Sequence, residues 1–233
     1  MTYVVIPGAG GSPWTWHLVV AELERRGHDV VVVALPCGDD SAGLAEYVDV
    51  AVAAIGDRSN LVVVAHSLGG FTAPLLCDRV PVGLLVLVAA MVPSPGETPG
   101  DWWADTGWAE ARQAEVERHG GDDSMEAAFV HDLPPELIAE LNGHVRGQSG
   151  TPFEKPWPRD SWPDVPTRVL LCREDRFFPV DFLRRVTQER LGITPDETGG
   201  GHLPMLVRPI ELVDRIEAYR RHNYRSGSQN LIV

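Results

Sequence analysis

The chain has 233 residues, a length that favours one globular domain with a sizeable core. Hydrophobic residues make up 44% and charged residues 23%, values close to those of soluble globular proteins, which excludes a disordered or fibrous chain. The 20 basic side chains are outnumbered by 33 acidic ones, and the net charge of −13 disfavours nucleic acids and anionic membrane surfaces as partners.

Apolar runs of strand length alternate with helical segments along the chain. The runs cover residues 3–6, 29–34, 61–65, 84–89 and 168–172, and a short further strand is predicted at residues 194–197. Because the five longer runs are almost continuously apolar, they indicate strands buried on both faces, as in a parallel sheet covered by helices. The alternation predicts a doubly wound α/β fold with about six mostly parallel strands and right-handed crossovers.

Helices are predicted between the strands and near the end of the chain, at residues 14–26, 43–55, 68–79, 180–191 and 209–221. Ser12 is the expected N-cap of the first helix, and Gly27 stands where its C-terminal cap belongs. The second helix is expected to start after Asp40 or Ser41 as its cap. Pro74 predicts a kink or a loosened turn in the third helix.

Residues 94–163 interrupt the alternation. Two stretches of this segment have helical spacing, residues 102–119 and 135–145. Because strong strand runs are absent from it, we interpret the segment as a mostly helical cap inserted over the sheet. The core domain is then formed by residues 1–93 and 164–222, and residues 223–233 are predicted to be a disordered or extended C-terminal tail.

The strongest chemical signal is the segment Val-Val-Val-Ala-His-Ser-Leu-Gly-Gly at residues 62–70, which carries Ser67 from a buried strand into a turn that opens a helix. A nucleophile elbow requires this context, because small flanking residues allow a tight, strained turn that exposes the hydroxyl above the sheet. Ala65 stands where the motif usually has Gly. A turn without chemistry is the alternative, and His66 is interpreted as a packing residue rather than a second base.

A serine hydroxyl needs a base within hydrogen-bond reach, and the base needs a third group that orients it. His202 follows three glycines in a loop after the last predicted strand, where a flexible backbone can bring the imidazole over the sheet. Asp175 follows the preceding strand and completes the order nucleophile, acid, histidine. Glu174 is the alternative acid; otherwise it is expected to be a solvated charge.

Acyl transfer also needs two amide donors that stabilise the oxyanion. One is expected from the backbone of Leu68, and the other from Ala9 in the glycine-rich loop at residues 7–11. That loop does not fit a dinucleotide site, because the third glycine of the fingerprint would fall at Pro13 and the next strand ends without the acidic residue that binds a ribose.

These motifs resemble those of the α/β-hydrolase superfamily, and the resemblance spans nearly the whole predicted core. It is carried by residues 7–16, 65–70, 174–179 and 201–205. Within the superfamily the chain is most similar to small esterases and hydroxynitrile lyases related to plant methyl-ester hydrolases.

The chain also departs from these relatives. Leu203 stands where the cyanohydrin-cleaving lyases have Lys, and Gly8 replaces the threonine with which they hold substrate, so a lyase is disfavoured. Pro7 stands where many relatives have His. Dehalogenases of this fold use an aspartate nucleophile, which Ser67 excludes.

The resemblance implies a serine hydrolase that cleaves a small-molecule carboxylic ester through an acyl-enzyme, with no cofactor and no metal. A thioester, a lactone or a carbon–carbon bond could be cleaved by the same residues. The rival from another class is a small-ligand receptor that does not hydrolyse its ligand. Trp102, Trp103 and Phe129 of the insertion are candidate pocket residues, although such aromatics more often pack against the sheet. A monomer and a homodimer both remain open.

Three cysteines, Cys37, Cys77 and Cys172, form no CxxC pair, so neither a disulfide framework nor a zinc site is indicated. The first residues run directly into a strand pattern, without the basic start and small-residue cleavage site of a signal peptide. No apolar run reaches the roughly 18 residues that span a bilayer. We therefore expect a cytoplasmic protein without a membrane partner.

Overall fold

A parallel sheet of six strands forms the centre of the molecule. This computed structural model describes the backbone of residues 1–229 and the side chains of residues 1–223. The strands are β1 (Thr2–Ile6), β2 (Asp29–Val32), β3 (Leu61–His66), β4 (Val82–Val88), β5 (Thr167–Cys172) and β6 (Asp196–Thr198). Their order is β2-β1-β3-β4-β5-β6, and every neighbouring pair is parallel. The predicted six-stranded α/β sheet is confirmed.

The inner strands are buried on both faces, as their continuous apolar runs predict. Val63 and Val64, neighbours on β3, point to opposite faces and belong to two separate hydrophobic clusters. The edge strand β2 differs, because Asp29 is exposed and the residues after it are only half-buried. The prediction that β2 is covered on both faces was therefore wrong.

Helices cover both faces of the sheet. The helices are α1 (His17–Arg25), α2 (Leu44–Ile55), α3 (Gly69–Leu76), α4 (Trp102–Asp105), α5 (Trp108–Arg118), α6 (Met125–Phe129), α7 (Pro135–Asn142), α8 (Val180–Leu191), α9 (Pro204–Val207) and α10 (Pro209–Gln229). Helices α2, α3 and α8 contribute to one hydrophobic cluster, and α1, α9 and α10 contribute to the other. The sheet therefore lies between two helical layers.

Two predicted helix starts need correction. A short 3-10 turn, Pro13–Trp16, precedes α1, and the Ser12 side chain makes no capping hydrogen bond. Helix α2 begins after Gly43, whose backbone N–H donates to Oε2 of Glu46 at 2.8 Å. Neither Asp40 nor Ser41 caps it, because Gly43 occupies the N-cap position and its amide is bound by Glu46 of the first turn.

The last helix continues well past its predicted end at residue 221. Helix α10 reaches Gln229, so the tail predicted at residues 223–233 is helical up to that residue, and residues 230–233 lie outside the described part. Glu217 ties α10 to the segment that follows α1 by accepting hydrogen bonds from Arg26 (2.6 Å) and His28 (2.8 Å). No helix within residues 1–229 is both long and apolar enough to cross a membrane.

The segment between β4 and β5 contains α4 to α7 and is helical, as predicted. Gly107, with φ of 68°, separates α4 from α5, so the single helix predicted over residues 102–119 is divided. The base of the insertion is fixed to α8 by a buried ion pair, in which Arg190 donates to Glu97 at 2.7 Å. The Glu97 carboxylate also accepts from the Ser94 backbone at 3.1 Å, which closes the first turn of the insertion.

Candidate active site

Ser67 occupies the sharp turn between β3 and α3. Its φ of 50° is a left-handed conformation, which is strained for a residue with a Cβ atom. The backbone amides of Gly70 and Met91 donate to the Ser67 carbonyl at 3.1 and 3.0 Å and hold the turn. A Cβ atom on Gly69 would lie 2.6 Å from the Ile6 carbonyl oxygen, and one on Gly70 would lie 1.9 Å from that of Met91. The small residues of the motif are therefore required by close backbone contacts.

His202 and Asp175 form a hydrogen-bonded pair inside the protein. The distance between Nδ1 of His202 and Oδ2 of Asp175 is 2.8 Å, and both side chains are fully buried. The other carboxylate oxygen of Asp175 accepts from the backbone amides of Phe177 (2.9 Å) and Phe178 (2.8 Å). Since the carboxylate accepts, Nδ1 donates, and Nε2 carries the free lone pair.

Ser67 and His202 line the same cavity. The buried Nε2 atom of His202 has no hydrogen-bond partner within the described side chains. Of the two hydroxyl side chains that line the cavity, Thr15 donates to the Ser12 carbonyl at 2.7 Å. The Ser67 hydroxyl makes no hydrogen bond to the described residues. The cavity is therefore lined by an uncommitted hydroxyl and by a histidine whose buried Nε2 has no partner among the described side chains.

The loop that carries His202 is held by carboxylates on two sides. The amide of Gly200 donates to the Glu174 carboxylate. The amide of Gly201 donates to Oδ2 of Asp132, a residue of the insertion, at 2.6 Å. Glu174 is exposed, as expected of a solvated charge, and its carboxylate also anchors the loop.

The glycines before His202 combine close packing with backbone freedom. A Cβ atom on Gly201 would lie 2.7 Å from the His131 ring, and one on Gly199 would lie 2.9 Å from the Arg208 guanidinium, a flexible group that can move aside. Gly200 has a φ of 93°, in the left-handed region that favours glycine. The loop is therefore closely packed at Gly201 and depends on the backbone freedom of glycine at Gly200.

His66 contacts the backbone of the loop that carries His202. Its Nε2 donates to the carbonyl oxygen of His202 at 2.8 Å, and the two rings lie 4.7 Å apart. Complete burial, together with the nearby His202, holds the pKa of His66 well below its usual value of 6.5. His66 is therefore neutral and helps to fix the position of His202, in addition to its predicted packing role.

The two predicted oxyanion donors, Ala9 and Leu68, both line the cavity. Neither backbone amide donates to any residue that the structure describes. In the glycine-rich loop, by contrast, the Gly10 amide donates to the side chain of Gln148 at 3.0 Å and the Gly11 amide donates within the loop at 3.1 Å. The amide of Leu68 also lies at the N-terminus of α3, where the helix dipole favours negative charge.

The cavity has a volume of about 540 Å³ and lies between the sheet and the insertion. Trp103 and Phe129 line it, and the Phe129 ring lies edge-on to His202 at 4.8 Å. Trp102 does not, because it is fully buried and donates its indole N–H to the Val92 carbonyl at 3.0 Å. Most of the remaining wall is apolar and includes Met91, Val130, Ile138, Leu141, Phe153 and Phe177. Residues 1–223 contain no group of three or more His, Cys, Asp or Glu side chains arranged to hold a metal ion.

Comparison with known proteins gives whole-chain matches. The sequence model of the alpha/beta hydrolase family matches residues 3–215. Methylesterase 7 of Arabidopsis thaliana is 26% identical over 249 aligned residues, which cover 90% of this chain and 92% of that protein. Norfluorocurarine synthase 1 of a Strychnos species is 22% identical over 90% of this chain and 91% of its own.

The same fold occurs in solved structures. Polyneuridine aldehyde esterase has a TM-score of 0.77 at 20% identity, covering 93% of this chain and 98% of that one. A pyrethroid hydrolase from Sphingobium faniae has a TM-score of 0.75 at 22% identity, covering 94% and 96%. The sheet, the helical layers and the family match agree, and the chain belongs to the alpha/beta hydrolase family, with similarity to plant methylesterases.

Proposed function

We propose that this protein is a serine hydrolase that cleaves a small-molecule carboxylic ester. One observation carries the proposal: the buried Nε2 of His202 has no partner in the described protein, and His202 lines the same cavity as Ser67. The opposite ring nitrogen is bound to Asp175. A base with one nitrogen fixed and the other available is the arrangement that activates a serine hydroxyl.

In the first half of the reaction, Nε2 of His202 accepts the hydroxyl proton as Oγ of Ser67 attacks the ester carbonyl. Asp175 stabilises the imidazolium that forms, and general base catalysis of this kind contributes about 10²- to 10⁴-fold. The carbonyl oxygen becomes an oxyanion that accepts hydrogen bonds from the amides of Ala9 and Leu68. The C–O bond then breaks, and the alcohol leaves with the proton from His202.

In the second half, water takes the place of the alcohol. His202 removes a proton from the water as it attacks the acyl-Ser67 carbonyl, and the same two amides stabilise the second oxyanion. Collapse releases the carboxylic acid and returns the proton to Oγ of Ser67. The protein ends the cycle in its starting state, with no cofactor consumed.

The cavity wall supports a neutral, largely apolar ester as substrate. The side chains that line the cavity with Ser67 and His202 include the apolar Met91, Trp103 and Phe177, and the charged lining residues are Glu126 and Arg146. Two similar proteins are named as esterases, a methylesterase and polyneuridine aldehyde esterase. Their names support an ester as the bond that is cleaved. The volume of the cavity limits the size of the acyl and alcohol groups.

A panel of p-nitrophenyl esters of increasing acyl length tests this function. The wild type is expected to hydrolyse them with a preference for apolar acyl groups, and Ser67→Ala is expected to lose this activity. Ser161→Ala, at an exposed position away from the cavity, is the matched control and is expected to behave as the wild type. A folded wild type that hydrolyses none of the esters, or a Ser67→Ala variant that hydrolyses them equally well, would contradict the proposal.

A further inference from the structure

The insertion reaches across the glycine-rich loop. We call residues 146–149 the strap. The Arg146 amide donates to the Gly10 carbonyl at 3.2 Å, and the Gly10 amide donates to Oε1 of Gln148 at 3.0 Å. Both backbone hydrogen-bonding groups of Gly10 are therefore bound to the strap. The loop and the insertion are joined at this residue.

Gly10 allows this contact because it has no side chain. Its φ of 62° is in the left-handed region, which favours glycine. A Cβ atom on Gly10 would lie 2.7 Å from the carbonyl oxygen of Arg146, too close for any residue with a side chain. The loop consequently packs directly against the strap backbone.

The strap is itself fixed to the core beyond β2. The Ser149 amide donates to the Cys37 carbonyl at 2.6 Å, and the Arg146 guanidinium donates to the Leu35 carbonyl at 3.2 Å. These bonds place both ends of the strap on the segment that follows β2. The glycine-rich loop is therefore bound to a segment that is itself hydrogen-bonded to the core.

The orientation of the Gln148 amide is determined by its other contacts. Its Nε2 donates to the hydroxyl of Tyr47 at 3.1 Å and to the Ser149 carbonyl at 2.9 Å. Tyr47 lies on α2 and is almost completely buried. Because both partners accept from the nitrogen, the carboxamide oxygen must be directed to Gly10.

These contacts decide which backbone amides of the glycine-rich loop remain available to bind an oxyanion. The Gly10 amide is occupied by Gln148, and the Gly11 amide is occupied by the carbonyl of Gly8 at 3.1 Å. Gly8 and Ala9 both line the cavity, and neither amide donates to any of the described residues. An oxyanion donor is effective only when its position is fixed before the reaction, so the residue that holds the loop matters for the rate.

We propose that Gln148 is a positioning residue for the oxyanion hole: it binds the Gly10 amide and so holds the loop with the Ala9 amide as an available donor. This inference rests on the proposed esterase function. Gln148 lines the cavity, but its carboxamide is bound to Gly10, Tyr47 and Ser149, so it acts through the loop. The helical insertion is then part of the catalytic machinery as well as a cover for the substrate.

The test is Gln148→Leu, which keeps a similar volume and removes both hydrogen-bonding groups. We expect kcat to fall by about 10- to 100-fold, less than the roughly 10²- to 10³-fold cost of deleting a donor, with little change in KM. A trifluoromethyl ketone that forms a tetrahedral adduct with Ser67 is expected to lose affinity by the same factor. Inhibition by the alcohol product, which forms no oxyanion, is expected to stay unchanged.

The matched control is Gln113→Leu, the same substitution at an exposed position of α5, where the side chain donates to Glu117 at 2.9 Å. It is expected to leave kcat and adduct affinity unchanged. Gly10→Ala is a second route to the same result, because the added Cβ would push the loop away from the strap while Gln148 is retained. Circular dichroism and thermal unfolding show whether each variant is folded. If Gln148→Leu does not fold, Gly10→Ala provides the test.

The inference is overturned if folded Gln148→Leu keeps its kcat and adduct affinity. It is also overturned if product inhibition weakens together with adduct affinity, since that pattern indicates a general structural role. Failure of the proposed function has a different signature, in which the wild type itself forms no adduct with the ketone. The two failures are therefore distinguishable.

Discussion

Asp175 and His202 are joined by a 2.8 Å hydrogen bond between Oδ2 and Nδ1, and neither side chain is exposed to solvent. In this environment water cannot replace the carboxylate as the partner of the ring. Two backbone amides hold the second oxygen of Asp175, which leaves the carboxylate a single orientation. The tautomer and the direction of the imidazole are therefore both set by Asp175.

Replacing the acid tests this relationship. Asp175→Asn presents an amide to Nδ1 and favours the wrong tautomer, so kcat/KM is expected to fall by roughly 10³- to 10⁴-fold. Glu174→Gln keeps an oxygen that can accept from the Gly200 amide, and only a small loss is expected. Steady-state kinetics on a p-nitrophenyl ester compares the two. A larger loss at Glu174 would show that the acid is wrongly assigned.

The contact between Asp132 and Gly201 predicts a role for the insertion in holding His202. Asp132→Ala removes the acceptor of the Gly201 amide, and a loss of about tenfold in kcat/KM is expected, equivalent to about 1.4 kcal/mol. Asp132→Asn retains an acceptor oxygen and is expected to keep most of the activity. If the Asn variant is as impaired as the Ala variant, the charge of Asp132 matters rather than its hydrogen bond.

Ser67, His202 and Asp175 could be located from the sequence because each follows a strand. In a parallel sheet the carboxyl ends of the strands share one edge, so residues far apart in the chain are brought together there. The elbow was the clearest signal, since strand, turn and helix composition all agree around Ser67. The sheet itself was predictable from the nearly continuous apolar runs.

The supporting contacts could not be predicted in this way. Asp132, His66 and Gln148 bind residues that lie 69, 136 and 138 positions away in the chain. No local pattern encodes such pairs, because they depend on how distant segments of the chain pack together in the folded protein. Only the glycines at their contact points gave a signal, and that signal suggested flexibility rather than close packing.

Two adjacent tryptophans give a prediction about specificity. Trp103→Ala enlarges the cavity and is expected to shift the preferred ester towards bulkier acyl groups, with a modest effect on stability. Trp102→Ala creates a void in the core and removes a buried hydrogen bond, so it is expected to lower the free energy of unfolding by about 3–5 kcal/mol. Acyl-length profiles and urea unfolding measure both effects. If the acyl-length profiles of both variants shift equally, the conclusion that Trp103 lines the cavity and Trp102 does not is contradicted.

The low pKa of His66 predicts how stability depends on pH. Burial lowers this pKa from 6.5, so below that pH the unfolded chain binds a proton that the folded protein does not. The stabilisation linked to neutral His66 is complete above the pKa of this residue in the unfolded chain. It is lost as the pH falls below that pKa, by about 1.4 kcal/mol per pH unit. His66→Gln cannot be protonated but can still donate to the His202 carbonyl. Its unfolding free energy is expected to fall less steeply with acid, and an unchanged slope would argue against a neutral, buried His66.

The most direct test of the central claim is covalent labelling of the nucleophile. The protein is treated with a fluorophosphonate, and the modified residue is located by peptide mass spectrometry. The structure predicts a single adduct on Ser67, none in Ser67→Ala, and greatly slowed labelling in His202→Ala. A folded wild type that gains no adduct, or one that carries the adduct on another residue, would contradict the assignment of Ser67 as the nucleophile.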